Sequence, residues 1–217
     1  MKRLFTPYTN TIARATALGV PLLVLIAGGF GRMWLDSSYE TGVGEAIDQP
    51  VPFSHEHHVA GLGIDCRFCH LSAETSSVAG VPATEVCMTC HSQIWTNAQM
   101  LQPVRDSFEK GQPIQWVRVN DLPDFVYFDH SIHVAKGVGC AECHGEVHRM
   151  PMTWKAQNLH MTWCLDCHRD PEKQLRPKDV VFSTDWFSGA RAKLGAEIAR
   201  ENKVNTKGLT NCSTCHR

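Results

Sequence analysis

Residues 66–70 read Cys66-Arg67-Phe68-Cys69-His70, and the same Cys-x-x-Cys-His spelling returns at Cys87-Cys90-His91, Cys140-Cys143-His144, Cys164-Cys167-His168 and Cys212-Cys215-His216. The five copies use all ten cysteines of the 217 residues. Two thiols two residues apart can add to the two vinyl groups of one porphyrin, and the histidine that follows then lies under the iron as its proximal ligand. Five copies therefore predict five covalently held haem c groups and an electron carrier. Structural zinc also draws on paired cysteines, but it does not require a histidine directly after each second one. Disulfides fit no better, because a C-x-x-C pair closes almost no loop and so removes little chain entropy.

Length alone would suit one or two ordinary domains. Beyond residue 35, however, the sequence lacks the long periodic runs that build a conventional core. Aromatic content is only 8%, glycine and proline occur 16 and 11 times, and tracts such as 36–52 and 169–185 read as coil. The prosthetic groups must then supply much of the buried apolar surface. The expected fold class is a multihaem cytochrome c, mainly coil with short α-helices wrapped around five haems, plus one N-terminal transmembrane helix. The formal charge is −1, and the propionates of five haems would add about ten negative charges. An acidic protein without a basic stripe excludes nucleic acid as a partner.

Residues 15–31 are apolar from Ala15 to Gly31 and continue through Met33, Trp34 and Leu35. With Arg14 and Arg32 able to snorkel, the stretch approaches the ~20 residues that cross a bilayer. Lys2, Arg3 and Arg14 precede it, whereas Asp36, Glu40, Glu45 and Asp48 follow. That asymmetry predicts a cytoplasmic N-terminus and an exported haem domain, the compartment in which haem c is attached. Ala27-Gly28-Gly29 also offers small residues of the kind found at signal-peptide cleavage sites. Retention as an anchor is favoured by Trp34 and Tyr39, placed as interfacial aromatics. Pro21 and the glycines Gly19, Gly28, Gly29 and Gly31 suit packing against other membrane helices.

An internal repeat singles out four more histidines. Phe53-Ser54-His55-Glu56-His57-His58-Val59-Ala60 aligns with Phe128-Asp129-His130-Ser131-Ile132-His133-Val134-Ala135 at an offset of 75 residues. The motifs behind them follow suit, Cys66 against Cys140 at 74 and Cys87 against Cys164 at 77. Each copy is a unit of F-x-H-x-x-H-V-A, a short loop and two Cys-x-x-Cys-His motifs, with the fifth motif appended. Histidines three apart project from one side of a helical turn, so each pair can serve one haem and its neighbour. His55, His58, His130 and His133 are accordingly the expected distal ligands. His57 faces Ile132 in the alignment and reads as a surface residue. One iron is left, for which Met150, Met161, Met152, His148 and His160 compete. Met150 or Met161 is preferred, since methionine would raise that haem's potential above its bis-histidine neighbours. Met88 sits inside a motif and is poorly placed.

Two helices are expected besides. Ile94, Trp95, Ala98, Leu101 and Val104 recur at helical spacing and predict a packing helix over 92–110, stopped by Gly111 and Pro113. Trp186, Phe187, Ala190, Leu194 and Ile198 predict an amphipathic helix over 186–203 that delivers the last motif. Trp116, Trp154 and Trp163 are expected against porphyrin faces.

The pattern from Phe53-Ser54-His55 through Cys66-Cys69-His70 resembles the class III multihaem cytochromes of the c7 kind. Over residues 10–217 the chain is similar to the pentahaem subunit of alternative complex III, the quinol:electron acceptor oxidoreductase, and to its relative in menaquinone reductase complexes. The residues that carry this are the N-terminal anchor, both F-x-H-x-x-H units, His144-Gly145-Glu146-Val147 on to Met150-Pro151, and Leu159-His160-Met161-Thr162-Trp163-Cys164 through His168-Arg169. Relatives usually read Thr-Met-Gly-Trp before the fourth motif where this chain has His160-Met161-Thr162-Trp163; the change keeps Met161 and draws attention to His160. The resemblance implies an integral membrane quinol-oxidising subunit, an iron-sulfur subunit and a monohaem cytochrome c as partners, with a periplasmic or exported acceptor downstream.

The expected organisation is a cytoplasmic segment 1–11, a transmembrane helix 12–35, a linker 36–52, two-haem repeats 53–127 and 128–184, and a C-terminal helix with the fifth haem over 185–217. The expected function is electron relay within a quinol-oxidising complex, with no catalytic residue in this chain. Two rivals stand beside it: a stand-alone membrane-anchored quinol dehydrogenase cytochrome, and a multihaem oxyanion reductase, which needs an iron with an open distal position.

Overall fold

The computed structural model describes residues 6–184 and 191–216, in two units that divide after Val43. The first unit is dominated by the helix Pro7–Leu35, which begins with proline at its first turn and runs unbroken through Pro21. Its 29 residues span about 43 Å at 1.5 Å per residue, more than the ~30 Å hydrocarbon core of a bilayer. By length and composition it can cross a membrane. Arg32 pairs with Asp36 at 2.7 Å, and the Trp34 indole donates to Glu40 Oε1 at 2.6 Å while packing on Tyr39. Of the basic residues expected to set its direction, Lys2 and Arg3 lie outside the described residues.

The second unit holds short helices joined by turns, with isolated strand-like bridges such as Ala46 with Trp154 and Val138 with Leu175. Its apolar core is small and split. One cluster gathers Val51, Leu101 and Val104 with Cys87, Met88, Ala98, Ile114 and Trp116; the other gathers Leu175, Ile198 and Ala199 with Val138, Leu194 and Val204. Many large apolar side chains near the motifs stay exposed, among them Leu62, Phe68, Leu71, Val81, Ile94 and Trp95. A domain of this size ordinarily buries such groups.

Several tracts differ from the sequence expectation. The helix foreseen over 92–110 forms only at Gln102–Lys110, preceded by a 3₁₀ turn at Gln99–Leu101. Trp95 breaks it, with φ of 53°, and its ring stacks on His57 at 5.7 Å. Leu101 and Val104 keep their core places while Ile94 turns outward. The tract 169–185 is not plain coil: it carries 3₁₀ turns at Pro171–Gln174 and Lys178–Val180 and buries Leu175, Arg176 and Val181. Residues 44–51 are likewise tied down, by the Gly44 N–H donating to the Lys155 carbonyl and by Gln49 bonding both ways with the Val117 backbone. The C-terminal helix is seen over Arg191–Glu201; Trp186, Phe187 and Ala190 lie outside the described residues.

Candidate haem-binding centre

Each Cys-x-x-Cys-His motif sits on a helical turn: Cys66–Cys69, Thr84–His91, Cys140–His144, Met161–Arg169 and Cys212–Cys215. Helical spacing of three places both thiols of a motif on one side. The first turn is opened by Asp65, whose carboxylate accepts from the Arg67 N–H at 2.8 Å. The third is closed by Gly145, at φ of 65° and ψ of −159°, a conformation only glycine adopts readily. A Cβ there would stand 2.7 Å from Ala156 Cβ.

The repeat histidines also ride on helical turns, His130–Ala135 in the second copy and a π-type turn, Glu56–Gly61, directly after His55 in the first. Asp129 caps the second by accepting from the Ser131 and Ile132 N–H groups. These turns bring four rings opposite four motif histidines. His55 faces His70 with centroids 6.4 Å apart, His58 faces His91 at 6.3 Å, His130 faces His144 at 6.3 Å, and His133 faces His168 at 6.2 Å. A metal-bound imidazole nitrogen stands about 2 Å from the ion and the ring centre about 1.1 Å beyond it, so two rings on opposite sides of one iron lie about 6.2 Å apart. All four separations, 6.2 to 6.4 Å, are close to that value.

The other ring nitrogen is engaged in nine of the twelve histidines. His70 donates from Nδ1 to the Gly80 carbonyl, His58 to Ser54, His91 to Ile94, His130 to Ser77, His133 to Asp129, His168 to Leu209 and His216 to Phe125. His55 Nδ1 meets Thr153 Oγ1 at 3.0 Å. Asn120 faces His144 Nδ1 at 3.2 Å through its amide nitrogen, while its amide oxygen is buried without a hydrogen-bond partner among the described residues. A half-turn of that amide would satisfy both groups. Holding Nδ1 fixes the tautomer and leaves Nε2 to bind metal, the usual outer-shell device for histidine ligands.

Electrostatics favour the same state. Burial, followed by the charges His70, His58 and His144 would carry, pushes His55 down to about 4. Burial, then His130 and His70, does the same to His144, again to about 4. His133 and His58 are lowered, chiefly by burial. These rings are therefore neutral at physiological pH, the form that donates a lone pair. Burial also pushes the Cys143 thiol up to about 12 and the Cys140 thiol up to about 11.

The pairs are linked to one another. His55 and His58 share one turn, as do His130 and His133. The loop after the first motif supplies both the Gly80 carbonyl for His70 and the Ser77 carbonyl for His130. In return, the segment after the third motif supplies Thr153 to His55, and the Met150 carbonyl accepts from the Glu56 N–H. The fourth motif leans on the segment before the fifth through His168 and Leu209.

Other residues from the sequence reading fall apart from these pairs. Met150 is 2% exposed, beside Gly145, whereas Met161 is exposed on the first turn of the helix that carries Cys164, Cys167 and His168. His57 is exposed and stacks on Trp95. Of the two histidines that compete for the remaining iron, His148 is buried and His160 is exposed. Trp116 packs on the Val51–Leu101–Val104 cluster, together with Cys87 of the second motif. Asn120, Thr153 and the carbonyls of Ser77, Gly80 and Leu209 escaped sequence reasoning. Backbone acceptors carry no residue-type signal, and neither polar side chain belongs to a motif.

Paired neutral imidazoles, free thiols beside them and unburied apolar side chains around them fit haem c on every count. Among the described residues no three of His, Cys, Asp and Glu converge as a metal cluster, the grouping that tetrahedral zinc would need. The class thus defined is a cytochrome c with several haems per chain. Residues 126–217 match the family described as cytochrome c7 and related cytochrome c. The multihaem cytochrome c subunit of menaquinone reductase from Nitratidesulfovibrio vulgaris is 35% identical over 176 residues, 78% of this chain and 77% of that one. Cytochrome c-552 from Porphyromonas gingivalis is 34% identical over 85 residues, 36% of this chain and 17% of that one. The chain belongs to the c7-like multihaem cytochromes c.

Proposed function

We propose that this chain is a membrane-anchored pentahaem cytochrome c that relays single electrons from a quinol-oxidising membrane complex of the alternative complex III kind to a periplasmic or exported acceptor. The observation that carries the reading is the set of four histidine pairs at 6.2 to 6.4 Å, each ring with its Nδ1 engaged. Kinship with a menaquinone reductase subunit supports the quinol link. The Pro7–Leu35 helix supplies the anchor, with the N-terminus cytoplasmic and the haem domain outside. Its partners are an integral quinol-oxidising subunit, an iron-sulfur subunit and a monohaem cytochrome c, with the downstream acceptor as client.

In this reading the ten cysteines hold five haem c groups, with His70, His91, His144, His168 and His216 proximal. His55, His58, His130 and His133 complete the first four irons in the pairs described. Haem supplies the reversible one-electron couple when bound. The protein orients each imidazole through its Nδ1 partner, which makes the ring a stronger donor and lowers the potential. In this reading the shared turns and reciprocal loops support the spatial order second, first, third, fourth, with the fifth beside the fourth. Electrons therefore do not follow sequence order, and the ends of the series are the second and fifth motifs. No residue is placed as a substrate base or nucleophile.

The test is gentle solubilisation of membranes, capture of this chain by a tag, and a haem stain alongside identification of co-purifying subunits. A haem-bearing chain recovered with an integral membrane subunit and an iron-sulfur protein is the expected result. Recovery of the chain alone in the soluble fraction would refute both the anchor and the assembly.

A further inference from the structure

We propose that Trp95, stacked on His57, is the positioning residue that holds the imidazole planes of the second haem site crossed. The inference rests on the assignment made above, of a haem to Cys87 and Cys90 and of His58 and His91 to its iron.

Four rings close a circuit at this site. His58 faces His91 at 6.3 Å, His91 lies 6.4 Å from Trp95, Trp95 stacks on His57 at 5.7 Å, and His57 meets His58 edge-on at 5.2 Å. His57 and Trp95 take no iron in that assignment. Trp95 carries φ of 53°, a left-handed conformation that a bulky residue keeps only where its surroundings hold it. The turn is tied on both sides, by the Gln93 and Ile94 N–H groups donating to the Cys90 carbonyl and by the Ala98 N–H donating to the Trp95 carbonyl. Ile94, whose carbonyl accepts from His91 Nδ1, directly precedes Trp95. At 3.3 Å that bond is longer than the 2.6 to 3.0 Å of the other carbonyl-held rings, so His91 depends more on what packs beside it.

The internal repeat supplies the comparison, because the fourth site is the second copy of the second. Ser54 and Asp129 correspond at the offset of 75, and their carbonyls hold His58 and His133 in the same way, at 2.8 and 2.6 Å. The distal sides therefore match. At that offset His57 corresponds to Ile132, and at the offset of 77 that relates the motif cysteines Trp95 corresponds to Glu172. The second copy thus lacks both members of the stack, and its proximal His168 is held instead by the Leu209 carbonyl, from another segment. With the stack the planes cross at 66°; without it they are tilted by 33°. The two sites differ on the proximal side, where Trp95 acts through His91. Ring orientation is an outer-shell lever, and the angle between two axial imidazoles decides how evenly they donate into the iron d orbitals.

The test is electron paramagnetic resonance of the oxidised, haem-loaded chain within its membrane complex, with peptide mass mapping to locate the haems in every variant. His57→Ile gives the first copy the residue of the second, and Trp95→Leu removes the indole. Each should abolish the strongly anisotropic low-spin signal of the crossed pair, put a rhombic one in its place and leave the resonances of the other sites unmoved. His57→Phe and Trp95→Phe, which keep two stacked rings, should retain the signal. If Trp95→Leu does not keep its haem, His57→Ile decides the matter alone. An unmoved signal in a fully loaded His57→Ile protein would overturn the inference, as would a change spread over every site. So would a wild-type protein with haem on the peptide bearing Cys87 and Cys90 but no such signal. A wild-type peptide of that kind without haem would instead overturn the assignment beneath it.

Discussion

Thr153 Oγ1 lies 3.0 Å from Nδ1 of His55, joining a residue beyond the third motif to the histidine that opens the first repeat. The His55 ring is in turn within 8° of parallel to that of His70. One hydroxyl therefore orients a ring of the first site from the strand of chain that follows the third. Outer-shell partners of this kind are worth about 10-fold to 100-fold in how firmly the ligand is held. Thr153→Val, which keeps the shape and removes the hydroxyl, should leave the haem count unchanged. It should loosen one distal histidine by about tenfold, read as easier displacement by carbon monoxide in the reduced protein. Unaltered carbon monoxide binding would remove Thr153 from the first site.

His133 faces His168 at 6.2 Å and is held by its Nδ1 donating to the Asp129 carbonyl at 2.6 Å. His133→Ala should strip the distal ligand from one iron and turn one haem high-spin while the rest stay low-spin. Optical and electron paramagnetic resonance spectra read this directly. A wholly low-spin spectrum would take His133 off the list of ligands.

The planes of the ring pairs differ, and that difference is measurable. His55 with His70 and His130 with His144 are nearly coplanar in orientation, at 8° and 5°, whereas His58 and His91 cross at 66°. Parallel imidazole planes donate into the same iron d orbital and split the pair; crossed planes donate into both and leave them nearly degenerate. The oxidised protein should show rhombic low-spin resonances together with one strongly anisotropic low-spin signal. That signal should vanish in His58→Ala. Its persistence there would assign the crossed pair to another site.

Sequence spelled what is local and left unsaid what the fold closes at a distance. Thiol spacing and the histidine after it are covalent facts, and the 75-residue repeat singled out the four rings that the structure brings opposite motif histidines. The 92–110 pattern misled because helical spacing continued through Trp95, whose ring is recruited by His57 and whose backbone turns to positive φ. Trp116 joins Cys87 on the Val51–Leu101–Val104 cluster, a neighbourhood that only tertiary packing decides and composition could not reveal. The carbonyls of Gly80, Ser77 and Leu209 could not be read at all, because every residue has one.

Gly145 closes the third motif at φ of 65° and ψ of −159°, against Ala156. Gly145→Ala combines a backbone strain of about 1–3 kcal/mol with a steric conflict that the Ala156 segment must move to relieve. It should lower the thermal midpoint by several degrees and weaken the Asn120–His144 contact. Calorimetry of the haem-loaded protein measures the first effect. An unchanged midpoint would mean that the turn relaxes without cost.

The proposed fifth haem distinguishes two methionines. His216 donates from Nδ1 to the Phe125 carbonyl at 3.0 Å, and among the described residues the ring placed near it is Phe125, at 5.8 Å, not an imidazole. Met150 is 2% exposed beside Gly145, with its carbonyl engaged by Glu56, and so belongs to the packing around the first and third sites. Met161 is exposed at the start of the helix whose Cys164 thiol is raised by burial and then by Cys215 of the fifth motif. Thioether ligation raises a haem's potential over that of bis-histidine neighbours, so loss of the ligand shows at the high-potential end of a redox titration. Met161→Leu should convert one haem to high spin and remove the highest-potential step. Met150→Leu, a volume-conserving core exchange, should cost less than about 1.5 kcal/mol and leave every potential in place. A reversal of these two outcomes would move the ligand to Met150, and silence from both would place it on neither.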